Sequence, residues 1–427
     1  MKDDNAPGRF SWLPPPLRPA VATSWRQERV FLLVGITAMF AGYDTNVFGL
    51  ALPRIQVSLQ IAENQIGPTL SYFRLAVFVA VLICSAADLI GRRRLLLVTV
   101  FGQAVFTLAS AFAATYPQFV WAQILTRVFA YTEEMLCFVV IAEEMAAAAR
   151  GWAAGTIASL NFFGAGLASL AFGAVTILPY GWRSLYVIGA LPLFLLAYLR
   201  RGLPETERFL TLAAMEKTRS KWAETALLLK EMATQFPGRL ALILIASAAF
   251  GFAIFPGAAL APKYLQSVMH YSPFQMNLLL IPGGFLGLAL AIMVGRLSDR
   301  AGRKRMAIAV VLSGAVGFAL FYSKTAAAFA PPFWILGFFG YVCGEAMLSS
   351  FAMEIMPTRY RATVAALRYL LDIVGGAVAT IMEGRLYDHF HAHGPAIQLL
   401  IAAVPITILA LLFLPEPAGK TLEEMTA

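Results

Sequence analysis

Asp88-Leu89-Ile90-Gly91-Arg92-Arg93-Arg94 and Asp299-Arg300-Ala301-Gly302-Arg303-Lys304-Arg305 are two copies of one short loop, 211 residues apart. The same offset recurs in two further loops. Glu143 with Arg150 seven residues on reappears as Glu354 with Arg361, and Leu203-Pro204-Glu205 reappears as Leu414-Pro415-Glu416. Three independent loops sharing one offset are hard to obtain by chance, so the chain reads as two copies of one module. Each loop lies between long apolar runs, which makes the module a set of membrane spans. Parallel repeats of this kind are related by an axis along the membrane normal and suit alternating access, with a binding site between the halves near the midplane.

Working outward from the loops, the composition agrees. Of 427 residues, 59% are hydrophobic and 13% charged, against about 25% charged in soluble domains. A helix needs roughly 20 apolar residues to cross the hydrocarbon. Twelve stretches qualify, near 30–52, 68–87, 95–114, 118–142, 155–178, 184–200, 240–264, 274–294, 306–322, 333–353, 363–384 and 395–414. The expected architecture is an all-α membrane protein of twelve transmembrane helices in two pseudo-symmetric six-helix bundles, residues 30–200 and 240–414. A polar N-terminal tail (1–29), a linker (201–239) and a C-terminal tail (415–427) complete it.

Orientation follows from Lys and Arg in the loops. With a cytosolic N-terminus, about 25 of the 33 fall on the cytosolic side. Arg54, Arg183, Lys263, Lys324 and Arg385 fall outside. Both termini are therefore expected in the cytosol, with the chain in the cell (inner) membrane. The stretch Met1 to Gln27 lacks the apolar core of a cleaved signal peptide and reads as a disordered tail. The linker carries Arg200, Arg201, Arg208, Lys217, Arg219, Lys221, Lys230 and Arg239. Its apolar spacing (Leu210, Leu212, Ala213; Leu227, Leu228, Leu229, Met232) suits amphipathic helices at the membrane surface. The net charge of +9 sits in short loops, which argues against nucleic acid. Cys84, Cys137 and Cys343 lie in apolar runs and imply no disulfide framework.

The loop Gly295-Arg296-Leu297-Ser298-Asp299-Arg300-Ala301-Gly302-Arg303-Lys304 resembles the cytosolic loop signature of the major facilitator superfamily. The first copy departs from it, with Cys84 for the usual Gly and Leu89 for the usual basic residue. Pro204-Glu205-Thr206-Glu207-Arg208-Phe209-Leu210, the tail Pro415-Glu416-Pro417-Ala418-Gly419-Lys420-Thr421-Leu422-Glu423-Glu424 and Gly42-Tyr43-Asp44 are similar to landmarks of its sugar-porter-like branch. Gly42-Tyr43-Asp44 also resembles metabolite–proton symporters, although Ala41 stands before Gly42 where that branch often carries an acid. Span seven, Ala249-Phe250-Gly251-Phe252-Ala253-Ile254-Phe255-Pro256, lacks the paired glutamine of sugar porters, which argues against a hexose. The resemblance implies a major facilitator fold. It also implies a cytosolic gate made by Asp88, Arg92, Glu143, Arg150 and Glu205 in one half, and by Asp299, Arg303, Glu354, Arg361 and Glu416 in the other.

Ionisable residues inside a membrane are functional candidates by default. Asp44 in span one lies about 21 Å from the cytosolic end of its span, and Arg127 in span four about 13 Å from the outer end of its own, at 1.5 Å per residue. In a core about 30 Å thick the two can pair. The resemblance assigns such an Asp and Arg to proton coupling: arginine holds the carboxylate ionised, and protonation frees it and shifts the conformational equilibrium. Arg127, Tyr131 and Glu134 share one helix face at i, i+4 and i+7, while Glu133 points elsewhere, toward a neighbouring helix. Arg368 and Asp372, at i, i+4, form an internal pair. Arg74, Tyr131, Glu134, Asn161, Glu345, Arg368 and Asp372 are the candidate substrate residues. Asp44, Glu133, Glu134, Glu345 and Asp372 outnumber three arginines, which leaves the sign of the substrate open. His389, His391 and His393 alternate in an outer loop, where solvation outweighs a metal site. No P-loop, nucleophile elbow or HExxH is present, so neither an enzyme nor a cofactor is expected.

The expectation is a monomeric secondary carrier of a small charged organic solute, a metabolite or organic acid, driven by protons. Proton-driven efflux of cationic compounds and a non-transporting receptor on the same scaffold are the rival readings.

Overall fold

Lipid offers the backbone no hydrogen-bond partner, so a spanning segment must satisfy its own amides, and the helix does this. The computed structural model describes residues 7–8, 19, 23–85, 87–145, 147–202, 221–323 and 329–416. Its helices are α1 (Trp25–Leu59), α2 (Glu63–Ser85), α3 (Ala87–Ile90), α4 (Arg92–Phe112), α5 (Tyr116–Glu144), α6 (Ala147–Gly173) and α7 (Trp182–Leu199). They continue with α8 (Lys221–Gln235), α9 (Pro237–Ser267), α10 (Pro273–Ala301), α11 (Arg303–Phe321), α12 (Ala330–Glu354), α13 (Arg361–Phe390), α14 (His393–Ile401) and α15 (Val404–Phe413). Each of the twelve expected spans falls on one helix, the last on α14 and α15 together. Ten spans among the described residues are long and apolar enough to cross a membrane; α5 and α10 complete the twelve. This is the twelve-helix fold the sequence implies.

Local signals explain the ends. Ser24 caps α1 reciprocally: Gln27 N–H donates to Ser24 Oγ at 3.2 Å, and Ser24 N–H donates to the Gln27 side chain at 3.0 Å. Part of the expected disordered tail is ordered, since Pro7–Gly8 pairs antiparallel with Thr23–Ser24. The repeated loops share one backbone bend. Gly91 has φ +99° and ψ 143°, and Gly302 has φ +98° and ψ 140°, a region essentially closed to side chains. The glycine of the motif is thus a conformational requirement in both copies.

The chain forms two compact units. The first comprises residues 1–60, 76–216 and 273–277, the second 61–75, 217–272 and 278–427. Within the first, α1 packs on α6 and α7, and α4 on α5 and α7. Within the second, α9 packs on α13 and α15, and α11 on α12 and α15. The pairing is the same in each unit. Small residues let backbones approach where lipid provides no hydrophobic drive between helices. A Cβ on Gly164 of α6 would strike the Met39 backbone of α1, and one on Gly375 of α13 would strike the Ala248 backbone of α9. These two glycines stand 211 residues apart. The first unit's interior is apolar around Phe31, Val34, Leu96, Val100, Leu136 and Leu193. Phe112, Trp121, Phe163, Leu191 and Phe413 lie exposed, a surface suited to hydrocarbon.

In the linker, α8 docks in the second unit through polar contacts. Arg359 pairs with Glu231 at 3.0 Å, and Tyr360 donates to Gln235 at 3.1 Å. Residues 203–220, including Glu205 and the Leu210–Ala213 apolar group, lie outside the described residues.

Candidate functional site

Buried charge occupies the spans of both units. In the first unit, Asp44 on α1 is 1% exposed. Its Oδ1 accepts from Thr107 of α4 at 3.2 Å, while Oδ2 is buried with no hydrogen-bond partner among the described residues. Arg127 on α5 is buried and near enough for its charge to act on Asp44. Its Nη2 donates to the Thr45 carbonyl at 3.2 Å. The hydrogen bonds seen for Asp44 and Arg127 go to Thr107 and to the Thr45 carbonyl. Neighbouring Tyr43 donates to the Leu185 carbonyl at 2.9 Å. Phe119, Trp182 and Tyr186 stand edge-on to one another. Tyr131, Glu134 and Asn161 are half-buried, and no hydrogen bond among the described residues joins them to Asp44.

Glu133 does meet a neighbouring helix end, and its partner corrects the sequence reading. Arg200, counted there as a linker cation, is wholly buried and pairs with Glu133. Thr99 and Cys137 also donate to Glu133, and Arg200 Nη2 donates to the Leu33 carbonyl at 3.2 Å. The helix runs on to residue 199 and a 3₁₀ turn follows, which carries Arg200 inward.

In the second unit four predicted residues converge. Arg74 Nη2 donates to Asp372 Oδ2 at 2.7 Å, and its guanidinium lies 3.6 Å from the Phe255 ring centroid, a cation–π contact. Gly376 provides the room: a Cβ there would stand 3.0 Å from the Arg74 guanidinium carbon. Arg368 Nη2 donates to Glu345 Oε2 at 2.8 Å. The expected Arg368–Asp372 pair is thus replaced by two pairs between helices. Both residues do share a face, as their spacing requires, but α2 and α12 each bring an opposite charge to it. Tyr341 adjoins Arg74 and stacks parallel to Phe250. Asp372 Oδ1, Glu345 Oε1, and Arg368 Nε and Nη1 are buried without hydrogen-bond partners among the described residues. Two acids face two arginines, so the acidic surplus counted from sequence is not found in this centre.

The repeat also links the two centres. Asn161 and Asp372 are separated by 211 residues, as are Glu134 and Glu345, and as are Asp44 and Phe255.

A third cluster, missed from sequence, lies in the second unit. Lys263 pairs with Glu63, and His393 bridges Glu383 at 2.6 Å and Glu63 at 3.3 Å. Lys263, placed in an outer loop by its sequence, is 2% exposed, and Glu383, passed over in span eleven, is 0% exposed. The solvated-loop reading holds for His389 and His391, which are exposed, and fails for His393, which is buried. Among the described residues no group of His, Cys, Asp or Glu could hold a metal ion.

At the repeated loops, Arg92 pairs with Glu143 at 3.1 Å and Arg303 with Glu354 at 3.0 Å. Glu416 accepts from the backbone N–H of Arg303 at 2.9 Å and of Lys304 at 3.1 Å. Arg26 adds a pair with Glu144 at 3.2 Å. Arg361 is half-buried. The side chains of Asp88, Arg150 and Asp299 lie outside the described residues.

Duplicated loop ion pairs and buried charge in the spans mark a polytopic membrane protein of transporter type. The family model described as Major Facilitator Superfamily matches residues 34–380, and the chain belongs to that family. A putative metabolite transport protein of Haemophilus influenzae is 26% identical over 409 residues, covering 90% of this chain and 94% of the relative. The gallate transporter of Pseudomonas putida is 29% identical over 197 residues, 45% of this chain and 42% of its own. The inward-open xylose transporter of E. coli superposes with a TM-score of 0.73 at 18% identity, covering 93% of this chain and 99% of that one, a likeness of fold.

Proposed function

We propose that the chain is a proton-coupled symporter of a small charged organic solute, a metabolite or organic acid, working by alternating access. It would act as a monomer in the cell (inner) membrane with both termini cytosolic. The observation that carries this reading is Asp44. It is a carboxyl buried in the first unit, held by Thr107 on one oxygen and unpartnered on the other, with Arg127 close by. A carboxylate so buried is costly unless compensated, and binding a proton there changes the charge balance against Arg127. That change supplies the differential stabilisation that couples a proton to a conformational equilibrium. The gate residues at the repeated loops are assigned to bias that equilibrium on the cytosolic side.

Substrate recognition is assigned to the second unit's centre of Arg74, Glu345, Arg368 and Asp372, and within the first unit Tyr131, Glu134 and Asn161 are assigned to contact the solute. The names of the Haemophilus and Pseudomonas relatives support a metabolite or an organic acid. Proton-driven efflux of a cation loses ground because Glu133, Glu345 and Asp372 are all engaged by arginines. The deciding experiment is uptake into proteoliposomes under an imposed pH gradient, with 4-hydroxybenzoate and gallate as solutes. The wild type is expected to accumulate solute when the outside is acid. Asp44→Asn is expected to lose accumulation and keep solute exchange. Undiminished proton-driven accumulation by Asp44→Asn would sink the coupling assignment, and binding without any flux would favour a receptor.

A further inference from the structure

We propose that Asp372 is a displaceable counter-ion: an organic monocarboxylate takes its place on Arg74, and Asp372 then binds a proton together with Glu345. The inference rests on the carrier reading above and names the substrate class and a second proton site, distinct from Asp44.

Arg74, Arg368, Asp372 and Glu345 are neutral as a group when all four are ionised. The Arg74 side chain is 11% exposed and that of Asp372 2%, so the guanidinium is the more accessible partner. It is already desolvated against the Phe255 ring at 3.6 Å, which readies it for an incoming carboxylate. Arginine takes carboxylates in a planar, two-pronged geometry, and the half-buried Phe255 and Tyr341 supply aromatic surface for the body of the solute.

Once the solute's carboxylate holds Arg74, Asp372 is left without its cation. An ion buried without a partner costs several kcal/mol, and Glu345 lies within interaction range of Asp372 as a like charge. The charged and titratable groups facing Asp372 are Arg74 from α2, Glu345 and Tyr341 from α12, and Arg368 on its own helix. From α9 it meets Gly251, which offers no counter-charge. Arg368 is engaged by Glu345 at 2.8 Å. The remaining escape is a proton from water. Asp372 Oδ1 and Glu345 Oε1, both buried without a donor, are the two oxygens a shared proton would satisfy. The balance closes: one anion enters, one proton enters, the Asp372–Arg74 ion pair breaks, a solute–Arg74 ion pair forms, and the centre stays neutral. Anion and proton binding are thereby linked at one centre, with no movement of the first unit required.

The test is calorimetric titration of the full chain in lipid nanodiscs. Benzoate is the anionic probe, benzamide its neutral match and benzylamine its cationic match. Repeating the titration in two buffers of different ionisation heat reads the protons taken up per molecule bound. The wild type is expected to bind benzoate at least tenfold tighter than benzamide or benzylamine, with about one proton taken up per benzoate. Asp372→Asn is expected to bind benzoate about tenfold or more tighter with no proton uptake, because the competing carboxylate and its proton are both gone. Asp372→Glu restores the proton, which guards against reading misfolding as mechanism, and Arg74→Gln loses benzoate binding. The proposal is overturned if the wild type shows no preference for benzoate, or if Asp372→Asn still takes up a proton. Asp44→Asn separates the two assignments. Lost accumulation with the calorimetric proton retained supports both. A calorimetric proton lost in Asp44→Asn and kept in Asp372→Asn places the site at Asp44 and rejects this one.

Discussion

Replacing Arg200 by Met should be among the most damaging single changes in the first unit. The side chain is wholly buried, and its guanidinium pairs with Glu133, itself 1% exposed. Methionine keeps the apolar stem and removes the charge. Glu133 retains Thr99 and Cys137 as donors, but its cation is gone. Removing one partner of a buried pair typically costs about 3–5 kcal/mol, because the other charge is left uncompensated. At 1.4 kcal/mol per factor of ten, this is about a hundredfold to several thousandfold in the folding equilibrium. Glu133→Leu should cost a similar amount for the mirror reason, leaving Arg200 with the Leu33 carbonyl. The double variant Arg200→Met/Glu133→Leu removes both ions together and should recover most of the loss, since a well-packed apolar pair is often neutral against a buried ion pair. The assay is thermal unfolding of purified protein followed with a thiol-reactive dye, for which the buried Cys137 and Cys343 are reporters. A coupling energy near zero, with the double variant as unstable as the two singles summed, would refute the reasoning and reduce the contact to ordinary packing.

Three further outcomes follow from the same physics. Gly164→Ala should destabilise by about 1–3 kcal/mol through overpacking against the Met39 backbone, while Gly166→Ala on the same helix, where a Cβ meets nothing within 4 Å, should stay within about 0.5 kcal/mol; equal melting shifts would contradict the close α1–α6 approach. Arg92→Gln should cost more than Arg303→Gln, because the first pair is 5% and 7% exposed and the second 22% and 31%, and the more exposed pair is worth only about 0–1 kcal/mol; a reversed order in chemical unfolding would count against it. His393→Ala should cost about 1–3 kcal/mol by leaving Glu383 unpartnered, with His389→Ala near neutral, and neither zinc nor EDTA should move the melting temperature of the wild type.

The fold was legible because it rests on coarse signals. Twelve apolar runs, the loop basic residues and the 211-residue offset each survive errors of several residues, and hydrogen-bond satisfaction in lipid leaves the helix as the only local outcome. The site was legible in membership and less so in pairing. Arg74, Glu345, Arg368 and Asp372 stood out because charge in an apolar run is conspicuous. Spacing along one helix then suggested Arg368 with Asp372, yet it says nothing of charges arriving from other helices. Arg200 and Lys263 were hidden for a related reason. Each sits at a span end, where sequence assigns basic and acidic residues to water, and only the packed helices show that the side chain turns inward. Glu383 was passed over at the last turn of an apolar run, although it is buried among Lys263, His393 and Glu63.

The two units also differ in a way that their common origin makes informative. The packing elements persist in both: Gly164 and Gly375, Gly91 and Gly302, and the Arg92–Glu143 and Arg303–Glu354 pairs. Glutamate persists at 134 and 345. The buried aspartates differ at two matched positions. Asp44 in the first unit is matched by Phe255 in the second, and Asn161 in the first by Asp372 in the second. Among the described residues each unit therefore carries one unmatched buried aspartate, on different helices of the common plan. The first is held by the Thr107 hydroxyl, with the charge of Arg127 acting on it. The second is held by Arg74, whose guanidinium rests on the phenylalanine that replaced the first. Two acids in equivalent positions would be expected to respond alike to a proton. On the assignments proposed above, two acids in inequivalent positions, one held by a hydroxyl and the other by an arginine, divide the work, with one binding the proton that drives the cycle and the other the proton that accompanies the solute.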